Sequence, residues 1–131
     1  MQDEVLTHLD ELKPLLESLA IEIWEHPQTG FEETYAAGRA VEVLRDAGFK
    51  VTVPVAGLAT ACVAEWGNGH PVVGILGEYD ALPGLSQRVS AQKEPVAEGG
   101  PGHACGHNLL GVAGIGAALA AKVMMERHGV G

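Results

Sequence analysis

Apolar and polar positions follow a helical period over the first part of the chain. Apolar residues recur there every three or four positions, which predicts an amphipathic helix with a stripe at Val5, Leu6, Leu9, Leu12, Leu15, Leu16, Leu19 and Ile23. Pro14 lies inside this pattern, and proline lacks the N–H that a helix interior uses. The pattern therefore predicts either two helices divided at Pro14 or one helix kinked there, ending near His26 and Pro27.

A second helix is predicted after a turn at residues 28–30. It begins at Phe31 with two glutamates in its first turn. Its apolar stripe consists of Ala37, Val41 and Leu44. Glu32 and Glu33 could imitate a general-base pair, but the partial positive charge at a helix N-terminus is sufficient to explain them. Gly48 is expected to end the helix.

The period then changes from helix-like to strand-like. Residues 49–55 alternate between apolar and more polar positions, residues 58–66 form a second run, and a glycine-rich turn follows at 67–69. Residues 71–77 are apolar without interruption, which is typical of a strand covered on both faces. The pattern therefore predicts three strands.

Two carboxylates directly follow the third predicted strand. Glu78 and Asp80 are at positions i and i+2, so they are expected on the same side of the chain. The C-terminal edge of the strands is where open α/β sheets usually hold their sites. Residues 81–102, rich in glycine and proline, then form a long loop, and loops of this length are commonly functional.

A helix rich in glycine and alanine is predicted at residues 109–125. Its small residues allow a neighbouring sheet or helix to approach closely. Each glycine lowers helix stability by about 0.5–1 kcal/mol relative to alanine, and this close packing must compensate for the loss. Its uninterrupted apolar run has about thirteen residues, short of the roughly 18–20 that a membrane span needs. The order of helices, three strands, loop and helix predicts an α/β fold with helices packed on a mixed sheet.

Composition and charge narrow the class of protein. The chain has 131 residues, about one domain, and its net charge of -9 comes without a basic stripe, so neither nucleic acid nor an anionic membrane is expected as a partner. Its two cysteines, Cys62 and Cys105, lie in unlike surroundings and do not indicate a disulfide framework. The first residues lack the basic and apolar regions of a signal peptide, so a cytoplasmic location is expected.

One glycine-rich segment before the last helix concentrates candidate metal ligands. Cys105 and His107 are separated only by Gly106, whose missing Cβ lets both side chains converge on one point. Asn108 is a favourable N-cap residue, so the pair is expected just before a helix N-terminus, which favours the thiolate. His103 is a third ligand, a partner of a ligand or a loop residue; its place outside the tight turn favours the last two.

Two interpretations of this segment remain open. In the first, a carboxylate from the strand end joins Cys105 and His107 around a divalent cation, which then has hard and soft ligands. Only one of Glu78 and Asp80 is expected to touch the cation. In the second, Cys105 attacks a carbonyl with His107 or His103 as its base. The metal site is favoured, because a thiol nucleophile leaves both carboxylates without a role.

Three segments carry a resemblance to a known family. They are residues 24–33 (Trp-Glu-His-Pro-Gln-Thr-Gly-Phe-Glu-Glu), 77–84 (Gly-Glu-Tyr-Asp-Ala-Leu-Pro-Gly) and 102–108 (Gly-His-Ala-Cys-Gly-His-Asn). In this order, over nearly the whole chain, they resemble the N-terminal part of the dinuclear-metal aminoacylase and carboxypeptidase superfamily, in its amidohydrolase branch. The resemblance implies an α/β, zinc-peptidase-like catalytic domain with two clustered divalent metals. Thiolate and imidazole ligands suit zinc, whereas a carboxylate-rich remainder of the site suits manganese.

The same resemblance implies a reaction and roles for individual residues. The reaction is hydrolysis of an amide between an acyl group, such as aminobenzoyl, and an amino acid, such as glutamate. Cys105 would be a bridging thiolate ligand, and His107 a ligand of one metal. Asp80 would be the catalytic-site residue that orients a ligand. Glu78 stands where other branches have a metal-binding histidine, and Asn108 replaces an aspartate of many relatives. Glu78, Asn108 and His103 are expected to lie next to the metal ligands.

The resemblance covers only part of such an enzyme. In the family, a general-base glutamate, further metal ligands and a lid or dimerisation domain follow later, so residues 1–131 are expected to be a partial catalytic domain that has no useful turnover alone. The enzyme as a whole is expected to be a homo-oligomer acting on a small acyl-amino-acid or dipeptide-like substrate. The alternative is a catalytically inactive fragment that acts as a binding or interaction module.

Overall fold

Residues 2–130, the part of the chain that this computed structural model describes, contain three helices and a small two-stranded sheet joined by loops. In chain order the elements are α1 (Gln2–Glu25), α2 (Thr34–Asp46), β1 (Lys50–Thr52), β2 (Val63–Glu65) and α3 (His107–His128). Helices and strands pack on one core, so the predicted α/β class is confirmed.

Helix α1 passes through Pro14 without interruption. Of the two outcomes that the pattern left open, the single helix is the correct one, and it ends at Glu25, next to the predicted end. Leu19 and Ile23 are the largest fully buried side chains of the described residues. Packing of this second half of α1 on the core compensates for the hydrogen bond that proline cannot donate.

Helix α2 begins at Thr34 rather than at Phe31. The φ angle of Phe31 is 72°, which lies outside the helical region, so the chain turns there and Glu33 becomes the N-cap residue. The predicted apolar stripe is confirmed, because three of its members are buried: Ala37, Val41 and Leu44. Gly48, with a φ of 84°, donates its N–H to the Arg45 carbonyl at 2.8 Å and ends the helix as predicted.

The two strands pair antiparallel and are short. Each has three residues, and Val51 faces Ala64 at the centre of the pair. The strand-like patterns at 49–55 and 58–66 therefore predicted the right elements with too great a length. Only the central residue of each strand packs against the core, which leaves little burial to extend the ladder.

The prediction of a third strand is wrong for residues 2–130, the part of the chain that the structure describes. Residues 71–77 form no ladder there, and Val72 and Leu76 are 80% and 85% exposed. Their apolar run predicted cover on both faces, but no strand within residues 2–130 pairs with them, and α3 lies against the end of the segment. The sheet therefore has two antiparallel strands instead of the three-stranded mixed sheet expected.

Helix α3 packs its glycines against the segment that carries the two carboxylates. A Cβ atom on Gly111 would lie 2.7 Å from the Glu78 carbonyl oxygen, and one on Gly77 would lie 3.2 Å from the Gly111 Cα. The predicted close approach is thus confirmed. The backbone of residues 77 and 78 lies directly on the helix, without side chains between them.

By length and composition alone, α3 could cross a membrane. It has 22 residues, and its most apolar window has a mean hydropathy of 1.6. The prediction that it is too short is wrong, because the helix continues past Lys122 to His128. Core helices of globular proteins share these properties, and Val112 and Leu119 of α3 pack with α1 in the core. The helix is therefore weak evidence for a membrane.

Candidate metal site

The candidate site lies where residues 78–81 meet the first turn of α3. Ala81 anchors this segment: it is buried, and its N–H donates to the Gln28 carbonyl at 2.8 Å, beside a parallel bridge to Thr29. The turn that follows α1 therefore holds the acidic segment in place, although the two are distant in sequence.

The first turn of α3 presents His107 to this segment. Gly106 is the N-cap residue, with a φ of 84°, and its carbonyl accepts the N–H of Leu110 at 3.1 Å. Glycine adopts this left-handed conformation without a Cβ clash. The prediction of Asn108 as the N-cap is wrong: Asn108 is buried inside the helix, and its Nδ2 donates to the Ala20 carbonyl of α1 at 3.2 Å. Asn108 thus joins α3 to α1.

Glu78, Asp80 and His107 form one cluster. Nδ1 of His107 lies 2.7 Å from Oδ1 of Asp80, and Nε2 of His107 lies 3.2 Å from Oε2 of Glu78. One ligand atom from each residue lies within 4.8 Å of the other two. The two carboxylates reach one ring, so the prediction that they share a side of the chain is confirmed.

The imidazole of His107 therefore has a carboxylate at each nitrogen. A neutral imidazole carries one proton, so it can donate to only one of these two acceptors. The shorter contact, 2.7 Å between Nδ1 and Oδ1 of Asp80, favours the tautomer with the proton on Nδ1. The lone pair of Nε2 then faces the Glu78 carboxylate, and a second proton or a cation between these two acceptors would remove their repulsion. Imidazole nitrogen and carboxylate oxygen are a donor set that suits zinc and similar divalent cations.

Cys105 does not join this cluster. It is exposed, it is a free thiol, and its sulfur is not part of the group formed by Glu78, Asp80 and His107. The convergence of Cys105 and His107 on one point and the role of Cys105 as a ligand therefore stay predictions. The thiol-nucleophile alternative gains no support, since Cys105 makes no hydrogen bond to a described histidine that could act as its base.

His103 lies beside the cluster. Both of its ring nitrogens are buried and have no hydrogen-bond partner of good geometry among residues 2–130. Burial lowers the pKa of His103, as does the nearby His107, whereas the Ile23 carbonyl and Asp80 act in the opposite direction. His103 is therefore a half-buried neighbour of Asp80 and His107, and its role at the site stays a prediction.

A buried polar cluster behind the site was missed by sequence reasoning. Glu33, explained above by the helix dipole alone, is buried, and its carboxylate accepts hydrogen bonds from the Phe31 N–H at 2.9 Å and from the Thr60 hydroxyl. The hydroxyl of Tyr79 donates to the Thr60 carbonyl. Burial, followed by the neighbouring Cys62, raises the pKa of Tyr79. One sequence signal exists: a tyrosine between two carboxylates that share a side must face the other way.

Comparison with known proteins shows what the chain is similar to. No protein-family model matches it. A subunit of the p-aminobenzoyl-glutamate hydrolase of Escherichia coli is 48% identical over 114 residues, which are 86% of this chain and 24% of that protein. The Xaa-Arg dipeptidase of Mus musculus is 34% identical over 128 residues, 90% of this chain and 26% of that protein. Hippurate hydrolase of Campylobacter jejuni is 28% identical over 102 residues, 75% and 25% respectively.

These relatives share a type of reaction in their names, and each is a hydrolase or peptidase. The chain spans about a quarter of the length of these curated relatives. The resemblance expected from residues 24–33, 77–84 and 102–108 is therefore confirmed. The chain is homologous to amidohydrolase-branch peptidases of the aminoacylase and carboxypeptidase superfamily, over a segment that makes up about a quarter of their length.

Proposed function

We propose that this chain supplies part of the metal-binding site of a hydrolase that cleaves the amide bond of an acyl-amino acid or dipeptide. The observation that carries the proposal is the cluster in which Asp80 and Glu78 contact the two nitrogens of His107. The names of the relatives support the substrate class. An aminobenzoyl group joined to glutamate is the specific substrate that the most identical of the three relatives suggests.

In the proposed site each of the three residues has its own task. Asp80 accepts the proton of Nδ1 and so keeps the Nε2 lone pair of His107 available for a cation. Glu78 offers a carboxylate oxygen next to Nε2, and its side chain is 52% exposed, so the cation side of the site is open to substrate. Cys105 would add a thiolate if the loop before α3 brings it toward His107.

A divalent cation held there, zinc or manganese, would supply Lewis-acid polarisation of the scissile carbonyl and activation of water. The chain's own part is to orient the imidazole and to keep the carboxylates on one side. His103, half-buried beside Asp80 and His107, adds a second imidazole next to the proposed site. We also propose that the enzyme to which this chain belongs is a cytoplasmic homo-oligomer.

A binding or interaction role is the second candidate. It is favoured by the apolar run at residues 72–76, where Val72, Val73 and Leu76 are 80–85% exposed. Exposed apolar surface of this kind commonly marks a contact with another polypeptide. The two candidates differ in metal dependence, because an interaction module has no use for the cluster at His107.

Metal titration tests the proposed function. The chelator-treated chain is expected to bind Zn²⁺ in isothermal titration calorimetry, and His107→Ala is expected to weaken that binding by more than about 100-fold, since losing a ligand costs more than losing a partner of a ligand. Cys105→Ser, measured in parallel, shows whether the thiolate is also a ligand.

His8→Ala is the matched control for this titration. His8 on α1 also contacts a carboxylate, with Nδ1 3.0 Å from Oε2 of Glu11, but it lies outside the candidate site. Its replacement is expected to leave Zn²⁺ affinity within about twofold of the unaltered chain, as for a surface change. Equal affinity of His107→Ala and His8→Ala, or no Zn²⁺ binding by the unaltered chain, would contradict the proposed site.

A further inference from the structure

The buried polar cluster of Glu33, Thr60 and Tyr79 joins three parts of the chain that are distant in sequence. Glu33 lies at the start of α2, Thr60 between the two strands, and Tyr79 in the acidic segment. The side chains of Glu33 and Thr60 are among the few buried polar groups of the described residues, at 8% and 6% exposure. A carboxylate loses its hydration when it is buried, so its remaining hydrogen bonds determine how firmly its neighbours are held.

Each oxygen of the Glu33 carboxylate has a defined partner. Oε1 accepts the N–H of Phe31 at 2.9 Å, which holds the turn after α1, and Oε2 accepts the hydroxyl of Thr60. The same turn carries Gln28, whose carbonyl accepts the N–H of Ala81 at 2.8 Å. The acidic segment is thus tied to this turn just after Asp80.

Tyr79 ties the acidic segment to the cluster a second time. Its hydroxyl donates to the Thr60 carbonyl, and its ring packs against the core. Neighbouring residues of an extended segment point in opposite directions, so holding Tyr79 inward fixes Glu78 and Asp80 outward. Both of those side chains contact His107.

We propose that the Glu33–Thr60–Tyr79 cluster is a positioning device, which sets the rotation of residues 78–80 so that Asp80 and Glu78 meet the two nitrogens of His107. These are positioning residues, because none of them contacts the candidate cation position. The structural part of the inference stands on its own contacts, and its consequence for catalysis rests on the proposed function.

Tyr79→Phe tests the device, since it removes one hydroxyl and keeps the ring that packs on the core. The first readout is the pair of imidazole nitrogen chemical shifts of His107 in the metal-free chain, assigned with His107→Ala. These shifts are expected to lose the signature of an Nδ1–H hydrogen bond to Asp80. The second readout is Zn²⁺ affinity, expected to fall about 10-fold, the lower range for a residue that orients a ligand.

Tyr35→Phe is the matched control. Tyr35 stacks on His26 with ring centroids 3.9 Å apart, and its hydroxyl makes no hydrogen bond within residues 2–130. Its replacement is expected to leave both readouts unchanged. If Tyr79→Phe fails to fold, Thr60→Val against Thr60→Ser tests the other bond of the cluster with the same two readouts, because serine keeps the hydroxyl that donates to Glu33 and valine lacks it.

Two failures can be told apart in these measurements. If Tyr79→Phe lowers the melting temperature but leaves the His107 shifts and Zn²⁺ affinity as they are, the cluster is merely structural and the inference is overturned. If the His107 shifts change as expected while no variant, nor the unaltered chain, binds Zn²⁺, the positioning device is supported and the proposed metal function fails.

Discussion

Replacing Gly111 with alanine is expected to destabilise the chain and disrupt the candidate metal site in one step. Alanine favours a helix interior by about 1 kcal/mol over glycine. The new Cβ, however, would lie 2.7 Å from the carbonyl oxygen of Glu78, a backbone atom that cannot rotate away. Overpacking of this kind costs about 1–3 kcal/mol, so the net result is a loss of up to about 2 kcal/mol. Urea denaturation followed by circular dichroism measures it.

The same substitution displaces the carboxylates from His107. Relief of the clash requires residues 77 and 78 to move away from α3, and Asp80 moves with them. Zn²⁺ affinity is therefore expected to fall by about 10-fold or more, as when a ligand loses its orientation. Gly114→Ala, one turn further along α3, is the control.

A Cβ on Gly114 would lie 3.7 Å from the nearest atoms, which is ordinary van der Waals contact. This change is expected to stabilise the chain by about 0.5–1 kcal/mol through helix propensity, with unchanged Zn²⁺ affinity. The two substitutions should therefore have opposite signs in the same helix. If Gly111→Ala proved as stable as Gly114→Ala, the close approach of residues 77 and 78 to α3 would be contradicted.

The helices were predictable because their information is local. Apolar residues at every third or fourth position report the buried face directly, and the stripe of α2 was read correctly down to Leu44. The start of α2 was not, because the left-handed conformation of Phe31 is set by its hydrogen bond to the Glu33 side chain rather than by helix propensity. Contacts outside the helical repeat thus decided the boundary.

The strands were less predictable because a ladder needs a partner that the strand's own residues do not specify. Residues 71–77 have the composition of a buried strand, yet no strand within residues 2–130 lies beside them. What the run does predict correctly is its end: the change from apolar residues to Glu78 and Asp80 marks the point where the segment reaches His107.

The grouping of Glu78, Asp80 and His107 was predictable in part from the sequence. The i, i+2 spacing placed Glu78 and Asp80 on one side, and the glycine before His107 allowed the turn that brings them together. Spacing could not show that Cys105 lies outside the group formed by Glu78, Asp80 and His107, since backbone torsions around Gly106 decide where its side chain lies. Nor could it show the burial of Glu33, which depends on Thr60 far along the chain.

Replacing Asp80 with alanine is expected to weaken Zn²⁺ binding by about 10–100-fold, the usual cost of losing the partner that orients a metal-binding histidine. The 2.7 Å contact with Nδ1 orients the ring and favours the tautomer in which Nε2 carries no proton. Asp80→Asn should cost less than about tenfold, because the amide oxygen can still accept the Nδ1 proton while the charge-assisted part of the bond is lost. Calorimetric titration with Zn²⁺ measures both.

Asp10→Ala separates orientation from general attraction. Asp10 is exposed on α1, and its loss removes the same unit of charge from a chain whose net charge is -9. Screening at physiological ionic strength limits attraction from a remote carboxylate, so affinity should change by less than about twofold. Equal losses in Asp80→Ala and Asp10→Ala would mean that Asp80 acts only through its charge. A large loss of Zn²⁺ affinity in Asp80→Ala, a smaller loss in Asp80→Asn and no loss in Asp10→Ala are expected together only if the hydrogen bond from His107 to Asp80 orients the nitrogen that binds the cation.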